Sequence, residues 1–97
     1  MIITAKELKR KIDNNESIQI IDVREDYEFE DFNIGGINIP LDQVFSSLEK
    51  IDKINPVIFC CSTGKKSAAI LHSIKRKLDL KNVYSLENGV NSFLEII

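Results

Sequence analysis

Apolar residues first recur at helical spacing in TAKELKRKID, Thr4 to Asp13, where Ala5, Leu8 and Ile12 share one face. Thr4 is placed to cap this helix, and Glu7 three residues on completes a capping box. SIQIIDV, Ser17 to Val23, is a β-branched run without polar alternation, the pattern of a strand buried on both faces. Asp22 and Arg24 at its end are expected at the strand's rim. In NIGGINIP a Gly35–Gly36 turn leads into a short strand stopped by Pro40. From there Leu41, Val44, Phe45, Leu48 and Ile51 repeat with a period that predicts another helix. PVIFCC is a second buried strand, opened by Pro56, because proline is tolerated at a strand's first position. GKKSAAILHSIKRKL predicts a long helix from Gly64 with Ala68, Leu71, Ile74 and Leu78 on one face. NVYSL reads as the last strand and GVNSFLEI as a short closing helix.

Strands alternating with helices predict an α/β fold: a mainly parallel central sheet with right-handed crossovers and helices on both faces. No interdomain linker or repeat interrupts the pattern, so residues 1–97 are expected to form one domain. In such sheets ligands sit beyond the carboxyl ends of the strands. Cys61 lies there, between PVIFC and the helix that starts near Gly64.

Composition narrows the partners. Thirteen basic residues against fifteen acidic leave a formal charge of -2, which favours neither nucleic acid nor an anionic membrane. The apolar runs are too short for a membrane span and MIITAKELKRK lacks the features of a signal peptide, so a cytoplasmic location is expected. Two adjacent cysteines cannot staple distant segments and supply too few ligands for a structural metal, so neither a metal nor a disulfide is expected. The acidic run EDYEFED, Glu25 to Asp31, reads as a solvated turn or short helix, with a docking face for a basic partner as the alternative. Tyr27, Phe29 and Phe32 are expected to anchor that segment on the core. His72, the one histidine, lies in the long helix with no acid or second histidine at ligand spacing, and is expected at or near the surface.

The chemistry concentrates in FCCSTGKKS, Phe59 to Ser67. A cysteine between a strand end and a helix N-terminus meets backbone N–H groups without intrahelical partners and the positive end of the helix dipole. Both stabilise a thiolate and lower its pKa. Gly64 allows a turn tight enough for several N–H groups to converge, and Lys65 and Lys66 add positive charge. Adjacent strand residues face opposite sides, so only one cysteine can look into the loop. Cys61 is read as the reactive one and Cys60 as a buried apolar thiol.

Three blocks, IDVREDYEFEDFNIGGINIPL, VIFCCSTGKKSAAI and NVYSLENGVNSF, resemble the rhodanese homology domain in order and spacing over nearly the whole chain. The resemblance implies a parallel α/β sheet and sulfur transfer through a persulfide on Cys61, without a cofactor. Ser62, Thr63, Gly64, Lys65 and Lys66 then complete a six-residue loop, followed by Ser67, and Asp22 and Arg24 match the D-x-R element that supports it, with a local ion pair and turn cap as the plainer reading of the two. The implied donor is thiosulfate or a cysteine desulfurase persulfide. The implied acceptor is a thiol, cyanide or a sulfur-carrier protein. NIGG and IPL look most like the carboxyl-terminal rhodanese-like domain of adenylyltransferases that activate sulfur-carrier proteins.

Departures from the family pattern are Lys66 where Arg is common, Asn33 for His, Asn88 for Gly and Phe93 for Trp. An ammonium is a point charge, whereas a guanidinium grips an oxyanion bidentately, so Lys66 weakens the case for thiosulfate cleavage more than for persulfide carriage. Rival readings are a non-catalytic binding module, a cysteine-dependent phosphatase and a nucleotide phosphate loop. The phosphatase needs a longer loop ending in Arg. The phosphate loop needs Gly at Phe59 and Ser or Thr at Lys66.

Overall fold

The computed structural model describes residues 1–96. Five strands form one parallel sheet in the order β1-β5-β4-β2-β3: β1 (Ile2–Ile3), β2 (Gln19–Asp22), β3 (Ile37–Asn38), β4 (Val57–Cys60) and β5 (Val83–Leu86). The helices are α1 (Ala5–Asp13), α2 (Asp26–Asp31), α3 (Lys65–Leu78) and α4 (Gly89–Leu94). Among the described residues no helix is long and apolar enough to cross a membrane.

The period of two along β4 builds both cores. Val57, Phe59 and the following Cys61 pack with Ile21, Val23 and the Ile70, Leu71 and Ile74 face of α3. Ile58 and Cys60 point the other way, to Ile20, to Ala5 and Leu8 of α1, and to Val90 and Phe93 of α4. Covering both faces requires the strands to be apolar throughout, and all four residues of β4 are buried. Each fully buried Leu or Ile, such as Leu8, contributes about 2 kcal/mol through the water it sheds. The start of α1 is set by the expected reciprocal box: Glu7 N–H donates to Thr4 Oγ1 and Thr4 N–H to Glu7 Oε1, each at 3.1 Å.

Several expectations are corrected. Leu41 to Ile51 is not one helix but two short 3₁₀ turns, Leu41–Gln43 and Leu48–Lys50. Val44, Phe45 and two serines separate them, and Ser46 Oγ donates to Gln43 O at 3.0 Å, a local bond that competes with helix propagation. Val44 and Ile51 still reach the core, while Phe45 stands exposed. The inward face of α3 is Ser67, Ile70, Leu71 and Ile74, so Ala68 faces outward, one position off the expected stripe. Tyr27 is exposed and anchors nothing, although Phe32 packs beside the α1–α4 core. Asp22 is completely buried and not at a solvated rim. The edge strand β1 was not anticipated, since two residues are too few to display a period. It is held by Ser85 N–H to Met1 O and Glu87 N–H to Ile3 O, both 2.9 Å.

Candidate active site

The parallel sheet brings the carboxyl ends of β2, β4 and β5 together, and the segment 61–64 crosses that end before α3 begins. Gly64 turns the chain with φ +95°, a left-handed conformation. A side chain there would also press on Asn88 N and Leu86 O, each 3.1 Å from a built Cβ. The turn aims main-chain donors at one sulfur. Gly64 N–H lies 3.1 Å and Ser67 N–H 3.4 Å from Cys61 Sγ, and Ser67 Oγ lies 3.7 Å away.

Burial alone would push the Cys61 thiol up. The Ser67 N–H and hydroxyl, with the N–H groups of Gly64 and Thr63, outweigh it and hold the pKa below the usual thiol range. Cys60 meets the opposite fate: burial first, and then the Asp22 carboxylate, push its thiol well up. The two adjacent thiols are thereby separated into one favoured and one disfavoured as thiolate, each on its own face of the sheet.

Cys61 is only 2% exposed and lies at the floor of a cleft of about 300 Å³ lined by Arg24, Glu28, Ser62, Thr63, Lys65 and Lys66. Lys65 and Lys66 are exposed at its mouth. Asp22 and Arg24 form a two-pronged pair, Nε to Oδ1 at 3.0 Å and Nη2 to Oδ2 at 2.9 Å, and the hydrogen bond to Asp22 raises the Arg24 pKa. Arg24 Nη2 also donates to Phe32 O at 2.6 Å, and Asn38 Nδ2 donates to the carbonyls of Asp22 and Arg24. Among the described residues no hydrogen bond joins this pair to residues 61–66. The strand that carries the pair is joined to β4 just before the loop, where Val23 N–H donates to Cys60 O at 2.9 Å. Asn33 ties the turn after α2, donating to Phe29 O and accepting from Gly35 N–H.

Three contributions were not foreseen. The start of α4 grips the loop: Val90 N–H donates to Cys61 O at 2.8 Å and Asn91 N–H to Ser62 O at 3.1 Å. The Asn88–Gly89 dipeptide, a turn signal, is the trace of this in the sequence, and both residues have positive φ. Ser85 of β5 sits 2.7 Å from Ser67 Oγ, both buried, and a lone serine in an apolar strand was its only signal. Ser62 Oγ donates to Glu28 Oε2 at 3.5 Å, placing α2 against the cleft.

The family model for the rhodanese-like domain matches residues 4–96. The chain belongs to the rhodanese-like family. The domain is 28% identical to the putative sulfur carrier protein YrkF of Bacillus subtilis, over 94% of this chain and 49% of that protein. It is 30% identical to the adenylyltransferase and sulfurtransferase UBA4 of Scheffersomyces stipitis, over 80% of this chain and 20% of that protein. It thus spans about half of one relative and a fifth of the other. A rhodanese-related protein from Thermoplasma volcanium superposes with a TM-score of 0.84 at 26% identity, covering 98% of this chain and 91% of that one. The expected fold, a parallel sheet with helices on both faces, is the fold found, and the family is one of sulfur transfer.

Proposed function

We propose that the rhodanese-like domain carries sulfane sulfur as a persulfide on Cys61 and passes it on. The observation that carries this reading is the convergence of Gly64 N–H, Ser67 N–H and Ser67 Oγ on one buried sulfur whose pKa they lower. In the loading step the Cys61 thiolate attacks the outer sulfur of a donor persulfide or thiosulfate. A sulfur–sulfur bond forms on Cys61 and the donor leaves as thiolate or sulfite. In the second step an acceptor thiolate or cyanide attacks the outer sulfur, and the sulfur–sulfur bond breaks to release the Cys61 thiolate. Towards an activated carboxylate of a carrier protein the persulfide instead attacks the carbonyl carbon and expels the activating group. A second thiol then cleaves the acyl disulfide so formed, leaving the thiocarboxylate and a disulfide on Cys61. Main-chain donors already aimed at the anion need no reorganisation in either step, the electrostatic device of an oxyanion hole. Ser62 to Ser67 form the cradle, while Asp22 and Arg24 keep the β2 end in register with β4.

Intact mass measured after incubation with thiosulfate, or with a persulfide-loaded cysteine desulfurase, tests the proposal. The expected result is a gain of one sulfur, removed by reductant and absent from Cys61→Ser with its melting transition preserved. Sulfur retained by the folded Cys61→Ser variant would assign the chemistry elsewhere and overturn this reading.

A further inference from the structure

The cleft over Cys61 has an uneven charge lining. Lys65 and Lys66 line it, and Arg24, also in the lining, is matched by the buried Asp22. The remaining charge in the lining is the carboxylate of Glu28. It is held at one oxygen and neighboured at the other: Oε1 accepts from Glu25 N–H at 3.2 Å in the capping box of α2, and Oε2 lies 3.5 Å from Ser62 Oγ, next in the chain to Cys61. With the thiolate formed, two lysine charges face two anions and the cleft sums to zero.

We propose that Glu28 selects the sulfur donor, its pinned carboxylate disfavouring free dianions such as thiosulfate and favouring sulfur presented on an organic thiol with at most one charge at the reacting end. The inference rests on Cys61 being the atom that receives sulfur. The half-buried Glu28 cancels one lysine charge at the mouth, so an approaching dianion finds no net attraction and meets the thiolate's repulsion. Coulomb repulsion scales with the charge of the incoming group, which separates this role from one in shape or folding. At ~6 Å through water one unit charge changes an encounter roughly threefold, and a dianion roughly tenfold. Both effects shrink as salt shortens the screening length to about 10 Å at 0.1 M.

Two reagent pairs test this on the full chain at low ionic strength. Iodoacetate and iodoacetamide alkylate the thiolate by the same displacement of iodide but differ by one charge. Glu28→Gln is expected to raise the iodoacetate to iodoacetamide rate ratio at Cys61 about threefold, a gain lost in high salt, while Glu28→Asp keeps the wild-type ratio. An unchanged ratio in Glu28→Gln, or the same rise in Glu28→Asp, overturns the proposal. Thiosulfate and the methanethiosulfonate anion each give up one sulfur to the thiolate, leaving as sulfite or methanesulfinate. Glu28→Gln is expected to raise the loading rate with the dianion by the square of its effect with the monoanion, and equal factors overturn the proposal. The alkylation pair needs no sulfur transfer, so a protein that never gains sulfur refutes the persulfide reading while the ratio still decides the role of the charge.

Discussion

Replacing Gly89 with alanine tests how α4 holds the loop. Gly89 has φ +65°, and a Cβ there would overlap the Cys61 carbonyl oxygen and lie 2.5 Å from the carbonyl carbon and oxygen of Ser62. These are backbone atoms, and they are fixed by the Val90 and Asn91 N–H groups that bond to the same two carbonyls. An L-residue in the left-handed region costs about 1 kcal/mol. Overpacking against atoms that cannot swing away adds about 2–3 kcal/mol. The stiffer unfolded chain returns about 0.4–1 kcal/mol. The net loss is therefore about 2–3 kcal/mol, which for a domain of this size lowers Tm by roughly 10–20 °C. Gly35→Ala is the matched control, because Gly35 also has positive φ but a Cβ there meets nothing within 4 Å. It should lose only the conformational part, about 1 kcal/mol, less the same unfolded-chain return of about 0.4–1 kcal/mol, a net loss of at most about 0.6 kcal/mol. Thermal and urea melts of the two variants give the comparison, and Cys61 alkylation should slow in Gly89→Ala alone. A Gly89→Ala protein that melts with wild type, or no lower than Gly35→Ala, would refute the close approach between α4 and the loop.

Arg24→Ala leaves the fully buried Asp22 carboxylate without its partner and should cost about 3–5 kcal/mol in a urea melt; a loss below 1 kcal/mol would mean that Asp22 finds water or a proton without strain. Ser67→Ala deletes a hydroxyl that lowers the Cys61 pKa but keeps the backbone N–H, so the pH midpoint of iodoacetamide alkylation should move up. Because the folded pKa lies below the unfolded one, the thiolate's stabilising contribution is present above the unfolded pKa and is lost as pH falls through the folded value. The stability gap between wild type and Ser67→Ala should therefore widen toward alkaline pH, and a gap that narrows would reverse the assigned sign.

Local features were the legible ones. The capping box at Thr4 and Glu7 and the buried strand PVIFC are each decided within a few residues, and the structure has both. Cys61 was legible because a strand end followed by glycine and a helix constrains what a side chain there can meet. Leu41 to Ile51 misled because spacing reports which residues seek the core, and Val44 and Ile51 do reach it, but not whether the backbone between them stays helical past two serines. Asp22 was placed at a rim because periodicity does not show that the local ion pair with Arg24 closes tightly enough to bury the carboxylate. The contacts of Gly89 with Cys61 and Ser62, and of Ser85 with Ser67, join segments distant in the chain, which no short-range pattern encodes.

The departure at Lys66 takes on a definite meaning once the sulfur's partners are known. Among the described residues the partners of Cys61 Sγ are main-chain N–H groups of the loop, with Gly64 and Ser67 at 3.1 and 3.4 Å, and the Ser67 hydroxyl, and the side chain at position 66 is not one of them. Holding the sulfur anion is thus independent of whether Lys or Arg stands there. Gripping the oxygens of a free sulfur oxyanion is not, because an ammonium lacks the fork that binds two oxygens at once. Cradle and mouth are separable in this domain: substitutions at Lys66 or Glu28 should redistribute preference among donors, whereas changes to the backbone path through Gly64, or to Ser67, should remove hydrogen-bond partners from the thiolate itself.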